Sequence, residues 1–333
     1  MNNLNKSLFY VIDLLCVPFI VISALVLKIY RRIGSLRLKL STRALKLIGV
    51  FPIRDHYYEP LFNDKHLTKD LCERRELPGV ILKESEQIEF LENLTYQSEF
   101  SEFVESESSK NGEHSFRLSN SMFGPADSEF LYNFIRHTKP NRVIEVGCGT
   151  STKIIHRACE LNEQETGKMT SHICIEPYEE SWLEQFPKIE LIREKIENID
   201  IQLFKDLNEN DFLFIDSSHM IRPQGDVLHE YLTIIPSLNK GVYIHVHDIF
   251  TPHDYLDRWI KESVIFWNEQ YLLEALLTDS SSLKVVAALN LLSRKYVNDF
   301  TKVCPHFDNS REPGSFYMKK VDIGLAVSAK TTA

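Results

Sequence analysis

Four acid and histidine positions in this 333-residue chain lie where short apolar runs end: Asp216 closing DFLFID with His219 three residues on, and His247 and Asp248 after GVYIHV. A histidine three residues past an acid, together with a second His-Asp pair, can orient a hydroxyl or amine and take its proton. Asp216 and Asp248 supply hard oxygen donors, so they are also candidates to hold Mg2+, which would lower an acceptor hydroxyl's pKa. His219, Asp216, His247 and Asp248 are therefore the expected catalytic residues, with Asp216 and Asp248 the expected metal ligands. His245 and His253 are weaker candidates for the base, and Asp254 for its partner. His245 sits deeper in its run and is expected to be a hydrogen-bonded structural residue. Structural histidines that satisfy buried polar groups remain the competing reading of all four.

A second constellation precedes these: Val143-Ile144-Glu145-Val146-Gly147-Cys148-Gly149-Thr150-Ser151-Thr152. A β-rich run, an acid, two glycines spaced by two and small hydroxyl residues read as strand, tight turn and helix N-terminus. Such a turn lets a nucleoside-like ligand approach the backbone. Glu176, closing HICIE before Pro177, is placed to accept hydrogens from a ribose. A dinucleotide fingerprint would put a third glycine where Thr152 stands. That substitution and the acid at Glu145 disfavour a pyrophosphate and favour a cationic cofactor with an amino-acid tail. S-adenosyl-L-methionine, with ammonium and sulfonium centres, fits.

The elements that must position these groups follow from periodicity. Strands are expected at 142–146, 172–176, 189–193, 211–216 and 241–246, with two more at 283–289 and 315–319. Helices are expected at 126–137, 152–161 and 222–236, and helical spacing also runs from Ser85 to Phe103. Glu105 to Gly112 reads as an exposed loop. Apolar strands alternating with helices imply α/β architecture: a Rossmann-like, mainly parallel seven-stranded sheet with helices on both faces.

Together, VIEVGCGTST, CIEPY, DFLFIDSSHM, GVYIHVHDIF and FWNEQYLLEALL resemble the class I S-adenosylmethionine-dependent methyltransferases, in particular a bacterial group with IDxxH after strand four and HD after strand five. The resemblance spans roughly Phe116 to Val321. It implies cofactor over strands one and two and acceptor over strands four and five. On the family pattern Glu145, Gly147, Cys148, Gly149 and Ser151 line the methionine end, Glu176 holds the ribose, and Asp216 lies near sulfonium and acceptor. Ser151 replaces a small glycine of that pattern, and the adenine contact falls somewhere in Glu194 to Glu197.

Leu8 to Leu27 is apolar over a bilayer's length, blemished by Asp13 and Pro18. Lys28, Arg31, Arg32, Arg37, Lys39, Arg43 and Lys46 follow it, so the positive-inside rule keeps the remainder in the cytoplasm. A cleaved leader would carry its basic residues before the apolar run. An interfacial disposition is the alternative, because Ser35 to Gly49 is basic and amphipathic. The expected division is a membrane helix at 1–34, a basic and helical extension at 35–120 and the catalytic domain at 121–333. Tyr57, Tyr58 and His56, between prolines, are candidates for a lid, and Trp259, Phe266, Trp267 and Tyr271 for aromatic surface beside the acceptor.

Net charge is −9 and pI about 5.8, which excludes general nucleic-acid affinity. Six scattered cysteines without CxxC spacing read as small buried hydrophobes. The expected function is O-methylation of a sugar, glycan or lipid-linked small-molecule acceptor at the membrane, in polysaccharide biosynthesis. An NAD-dependent oxidoreductase and a non-catalytic scaffold are the other classes. The acceptor and the oligomeric state are not written in the sequence.

Overall fold

The computed structural model describes residues 3–53, 60–110, 112 and 114–321. The chain divides into two compact units, 1–70 and 71–333.

In the first unit, α1 (Asn3–Ile33) contains an apolar stretch of 26 residues, Leu8–Ile33, in which an 18-residue window reaches a mean hydropathy of 2.5 with none of that window buried. At 1.5 Å per residue that stretch reaches about 39 Å, enough to cross about 30 Å of hydrocarbon. Pro18 lies inside the helix. A shorter helix, α2 (Lys39–Ile48), follows and stops at Gly49, whose φ of 83° closes it in the left-handed conformation.

In the second unit the sheet is built from β1 (Arg142–Val146), β2 (Ser171–Ile175), β3 (Glu190–Ile192), β4 (Phe212–Ile215), β5 (Tyr243–Val246), β6 (Leu283–Ala288) and β7 (Phe316–Lys320). The strands lie in the order β3-β2-β1-β4-β5-β7-β6. Only β7 runs antiparallel to its neighbours. Each expected strand is present, within one or two residues at its ends.

Alternation along β1 shows why the sheet is buried on both faces. Ile144 and Val146 join one apolar layer with Leu213, Ile215, Ile244 and Tyr231. Val143 joins the other with Phe212, Phe214, Phe130 and Phe134. Each fully buried Phe contributes roughly 1.5–3 kcal/mol by leaving water. The second layer is covered by α5 (Pro125–Thr138) and α6 (Thr150–Thr166).

The region from 71 to 120 belongs to this same unit, so the compact body begins well before residue 121. Apolar spacing between Ser85 and Phe103 resolves into two helices, α3 (Glu84–Glu92) and α4 (Gln97–Ser108), separated at Asn93. α4 takes in the first part of the stretch read as a loop at 105–112. Leu91, Phe100 and Phe103 sink into the aromatic layer, which accounts for the helices and their place. The helix expected from Arg222 starts only at Asp226, after Gly225.

Candidate functional site

Register is what assembles the site. Val146 pairs with Ile175 on one side and with Ile215 on the other, and Ile215 pairs with Val246. The next residue of each strand is therefore level with its neighbours: Gly147, Glu176, Asp216 and His247. The ladder continues through them, with the amides of Gly147, Asp216 and His247 donating to Ile175, Val146 and Ile215 at 2.9–3.0 Å. The connection after β1 leaves toward β2 while β4 lies on the other side. At such a switch point the strand ends leave a crevice. A cavity of about 540 Å3 opens there, lined by the glycine turn, Glu176, Asp216, His219, Asp248 and Trp267, among others.

The two glycines do different work. Gly147 has φ of 77°, and a Cβ on it would stand 1.8 Å from the Asp216 carbonyl oxygen, so the turn crosses β4's end with no space for a side chain. Gly149 is extended, and a Cβ there would meet nothing within 4 Å. Its lack of a side chain keeps cavity volume open. Cys148 and Ser151 also line the cavity.

Glu145 is placed otherwise than expected. It sits two residues back from Gly147 on the face covered by α6, fully buried, and does not line the cavity. Its Oε1 accepts from Ser151 Oγ at 2.7 Å and Thr152 Oγ1 at 3.0 Å, and its Oε2 contacts His172 Nε2 at 2.8 Å. Strand alternation dictates this direction, since His172 and Cys174 of β2 pair with Val143 and Glu145 on the same face. Thr152 Oγ1 also accepts the Gly149 amide at 3.0 Å, closing the turn onto the helix. The acid thus shapes the turn from behind. Burial opposes it, but Cys174 and Glu145 raise His172 to about 10.

Glu176 is at the cavity wall. Its Oε1 accepts the amides of Tyr178 at 2.8 Å and Glu179 at 2.9 Å, which fixes the carboxylate and leaves its second oxygen for a ligand. In the stretch after β3, Lys195, Ile196 and Glu197 line the cavity, whereas Glu194 is spent on the Lys195 amide and Asn198.

At the other end, His219 Nε2 lies 3.3 Å from Asp216 Oδ1 and 3.5 Å from Asp248 Oδ2. His247 Nδ1 lies 3.6 Å from Asp216 Oδ2 and 3.5 Å from Asp248 Oδ1. Two carboxylates are thus held between two imidazoles. Burial opposes charge on all three groups, yet the mutual attraction wins. It lowers Asp216 well below the usual carboxylate range and raises both His219 and His247 well above the usual imidazole range. His219 and Asp248 have φ of 59° and 57°, in the left-handed region. The His219 carbonyl accepts the amides of Asn268 and Glu269 at 3.2 and 3.3 Å, which helps hold that conformation against its cost.

One residue of this centre is not singled out by the sequence, although it lies within the FWNEQYLLEALL segment. Glu269, fully buried at the start of the helix Glu269–Leu277, accepts from His219 Nδ1 at 2.8 Å. It is 50 residues away along the chain, and no spacing rule links it to His219. The Trp267 ring packs on the imidazole, centroids 4.3 Å apart, and Trp259 meets Trp267 edge-on at 4.9 Å.

The remaining expectations separate. His245 is fully buried against Phe214 at 4.2 Å, and neither ring nitrogen has a hydrogen-bond partner among the described residues. The hydrogen bonds expected of it are therefore replaced by aromatic packing, and burial keeps it well below the usual imidazole range. His253 contacts Asn290 at 2.9 Å and Asp254 pairs with Arg75, so both lie outside the cavity. Tyr271 donates to Asp254 and is likewise outside it. His56, Tyr57 and Tyr58 fall outside the described residues. Cys148, Cys159, Cys174 and Cys304 are buried free thiols, while Cys16 and Cys72 are exposed.

Residues 144–249 match a family model described as a methyltransferase domain. An uncharacterized protein of Archaeoglobus fulgidus is 26% identical over 175 residues, covering 48% of this chain and 75% of its own. Among solved structures, the O-methyltransferase TomG from Streptomyces achromogenes, in complex with SAM, aligns over 68% of this chain and 100% of its own at 15% identity and a TM-score of 0.38. The O-methyltransferase from Bacillus cereus, in complex with SAH, aligns over 68% and 91% at 14% identity and a TM-score of 0.37. Scores of that size add no weight to the assignment. The matched stretch, however, opens inside β1 and closes just past Asp248, so it spans the edge where the cavity lies. Over those residues the chain is therefore similar to a methyltransferase domain, and the seven-stranded, mainly parallel sheet that carries them is the one expected from the sequence.

Proposed function

We propose that this domain binds S-adenosylmethionine along the ends of β1 and β2 and methylates an oxygen of a hydroxylated small molecule, a sugar or a lipid-linked glycan, held at the ends of β4 and β5. One observation carries the reading. A single cavity joins a glycine turn and a pre-set ribose acid at one end to the His219–Asp216–Asp248 cluster at the other. The amino-acid end of the cofactor meets the backbone from Gly147 to Ser151, the ribose meets Glu176, and the adenine lies near Ile196 and Glu197.

In the transfer, an acceptor oxygen attacks the methyl carbon in line. The C–S bond breaks, S-adenosylhomocysteine leaves, and the acceptor's proton must go to a base. His219 Nε2 faces the cavity and is the base in this reading. Asp216, His219 and Asp248 offer donor atoms within 4.8 Å of one another, and the buried His247 nitrogens beside them have no hydrogen-bond partner among the described residues. Such a donor set suits a divalent cation, with Asp216 and Asp248 as the oxygen ligands. A bound cation would lower the pKa of the acceptor hydroxyl. Glu269 holds a proton on His219 Nδ1, so Nε2 is the nitrogen that exchanges one with the acceptor. Trp267 offers an aromatic face to a sugar ring.

α1 is read as the anchor, with the domain on the cytoplasmic side where the basic flank lies. That disposition suits an acceptor carried in the membrane. The domain match stands against an NAD-dependent oxidoreductase.

Isothermal titration tests the cofactor step. S-adenosylhomocysteine is expected to bind the wild-type chain and to bind Glu176→Ala at least tenfold more weakly. Equal affinity for the two would overturn the placement of the ribose.

A further inference from the structure

Between Asp13 and Asp55 the chain has no acidic residue, and seven lysines and arginines fall from Lys28 to Lys46, in a protein whose net charge is −9. Charge segregation of this kind concentrates on α2 and the turn before it. α1 ends where Gly34 takes φ of 102°, its amide donating to the Tyr30 carbonyl at 2.9 Å. The chain then turns back on itself and is locked there. Thr42 Oγ1 donates toward the carbonyls of Ser35 and Leu38, both at 2.9 Å, so the Tyr30 phenol donates to Thr42 Oγ1 at 2.6 Å. Tyr30 is buried by this contact region, at 8% exposure.

The lock decides which way α2 faces. Leu38, Thr42 and Leu45, one helical face, are its partly covered positions. Leu40, Ala44, Leu47 and Ile48 form another face and are exposed, Leu47 at 88% and Leu40 at 80%. Lys39, Arg43 and Lys46, spaced four and three apart, run as a row along one edge of that apolar stripe. No residue of α2 is buried. An apolar stripe edged by cations is the pattern of a helix lying in a membrane interface.

We propose that α2 is a surface-lying elbow of the anchor: its Leu40–Leu47–Ile48 stripe enters the headgroup boundary of an anionic phospholipid bilayer, and Lys39, Arg43 and Lys46 contact the lipid phosphates. The occupant is set by continuity and by charge. Six peptide steps separate Ile33 from Lys39, at most about 20 Å of chain. A bilayer crossed by α1 is therefore within reach, and a cationic row beside it meets the negative leaflet directly. The inference rests on α1 crossing the membrane, and adds that the anchor selects anionic lipid.

The test uses the full chain with the exposed Cys16 and Cys72 changed to serine, reconstituted into phosphatidylcholine vesicles with or without phosphatidylglycerol. A nitroxide on Leu47→Cys reports depth through collisions with oxygen and with a water-soluble relaxant, and a nitroxide on Ile20→Cys separately reports whether α1 is in the bilayer. The expected result is a Leu47 label about 5–10 Å below the headgroup level in vesicles containing phosphatidylglycerol. It should be shallower in phosphatidylcholine alone, and shallower again when Lys39, Arg43 and Lys46 are all serine. A Leu47 label that stays in water with phosphatidylglycerol present, while the Ile20 label is immersed, overturns the elbow and leaves the anchor. A water-exposed Ile20 label overturns the anchor itself. A Leu47 label shielded from both relaxants also overturns the proposal, because it marks a protein as the occupant.

Discussion

His219 is the residue on which the proposed chemistry turns, and what aims it is a neighbour. An imidazole can rotate about two bonds, so a buried base needs its far nitrogen tied. Glu269 ties it at 2.8 Å. If it acts through His219, Glu269→Leu should lower kcat by roughly 10–100-fold with KM nearly unchanged, and Glu269→Gln, which still accepts the Nδ1–H, should recover part of that loss. In a His219→Asn background the same two changes should cost nothing further. Steady-state kinetics with the accepted substrate, and until that is known the rate of cofactor demethylation in membrane extract, would check this. Additive losses would show Glu269 to be merely structural. Neither Glu269 nor the direction of Glu145 could be taken from spacing. One is a long-range contact made by a helix start, and the other depends on which face of β1 receives α6.

At the scale of elements, the turn between β1 and α6 shows how one motif divides its tasks. Gly147 is required by the crossing of two strand ends, and Gly149 by the ligand's volume. Gly147→Ala is therefore expected to destabilise the domain by about 3 kcal/mol or more, since the new Cβ collides with fixed backbone in a left-handed conformation. Gly149→Ala should leave the thermal midpoint within a few degrees and weaken S-adenosylhomocysteine binding. Thermal unfolding and titration of both variants separate the two effects, and matching losses of stability would contradict the division. Strands, helices and turn were legible here because apolar runs, glycines and closing acids are local signals. The break at Asn93 and the late start of the helix at Asp226 were not, because packing of Phe100 and Phe103 and the turn at Gly225 decide them.

Across the whole second unit, buried acids outside the cavity set how stability depends on pH. Glu129, on α5, is almost fully buried and pairs with His306 from near the chain's end. Burial outweighs that contact and pushes its carboxyl up to about 7. The folded form then holds a proton that the unfolded form releases near its ordinary value of about 4.3. Stability should fall as pH rises from about 4.3 to about 7, by at most about 4 kcal/mol. Glu129→Gln should flatten that part of the profile, as measured by denaturant unfolding at several pH values, and an unchanged slope would remove Glu129 as its source. By itself the sequence determined the α/β class, the seven strands, the glycine turn, the acid at Glu176 and the grouping of acids and histidines at strand ends, since each is written in residues adjacent along the chain. Only the tertiary structure decided that these ends lie level around one cavity, that Glu145 turns away from it, that Glu269 reaches His219, and that His253 and Asp254 fall outside. Those outcomes depend on strand register and on contacts between residues far apart in sequence, which no local pattern encodes.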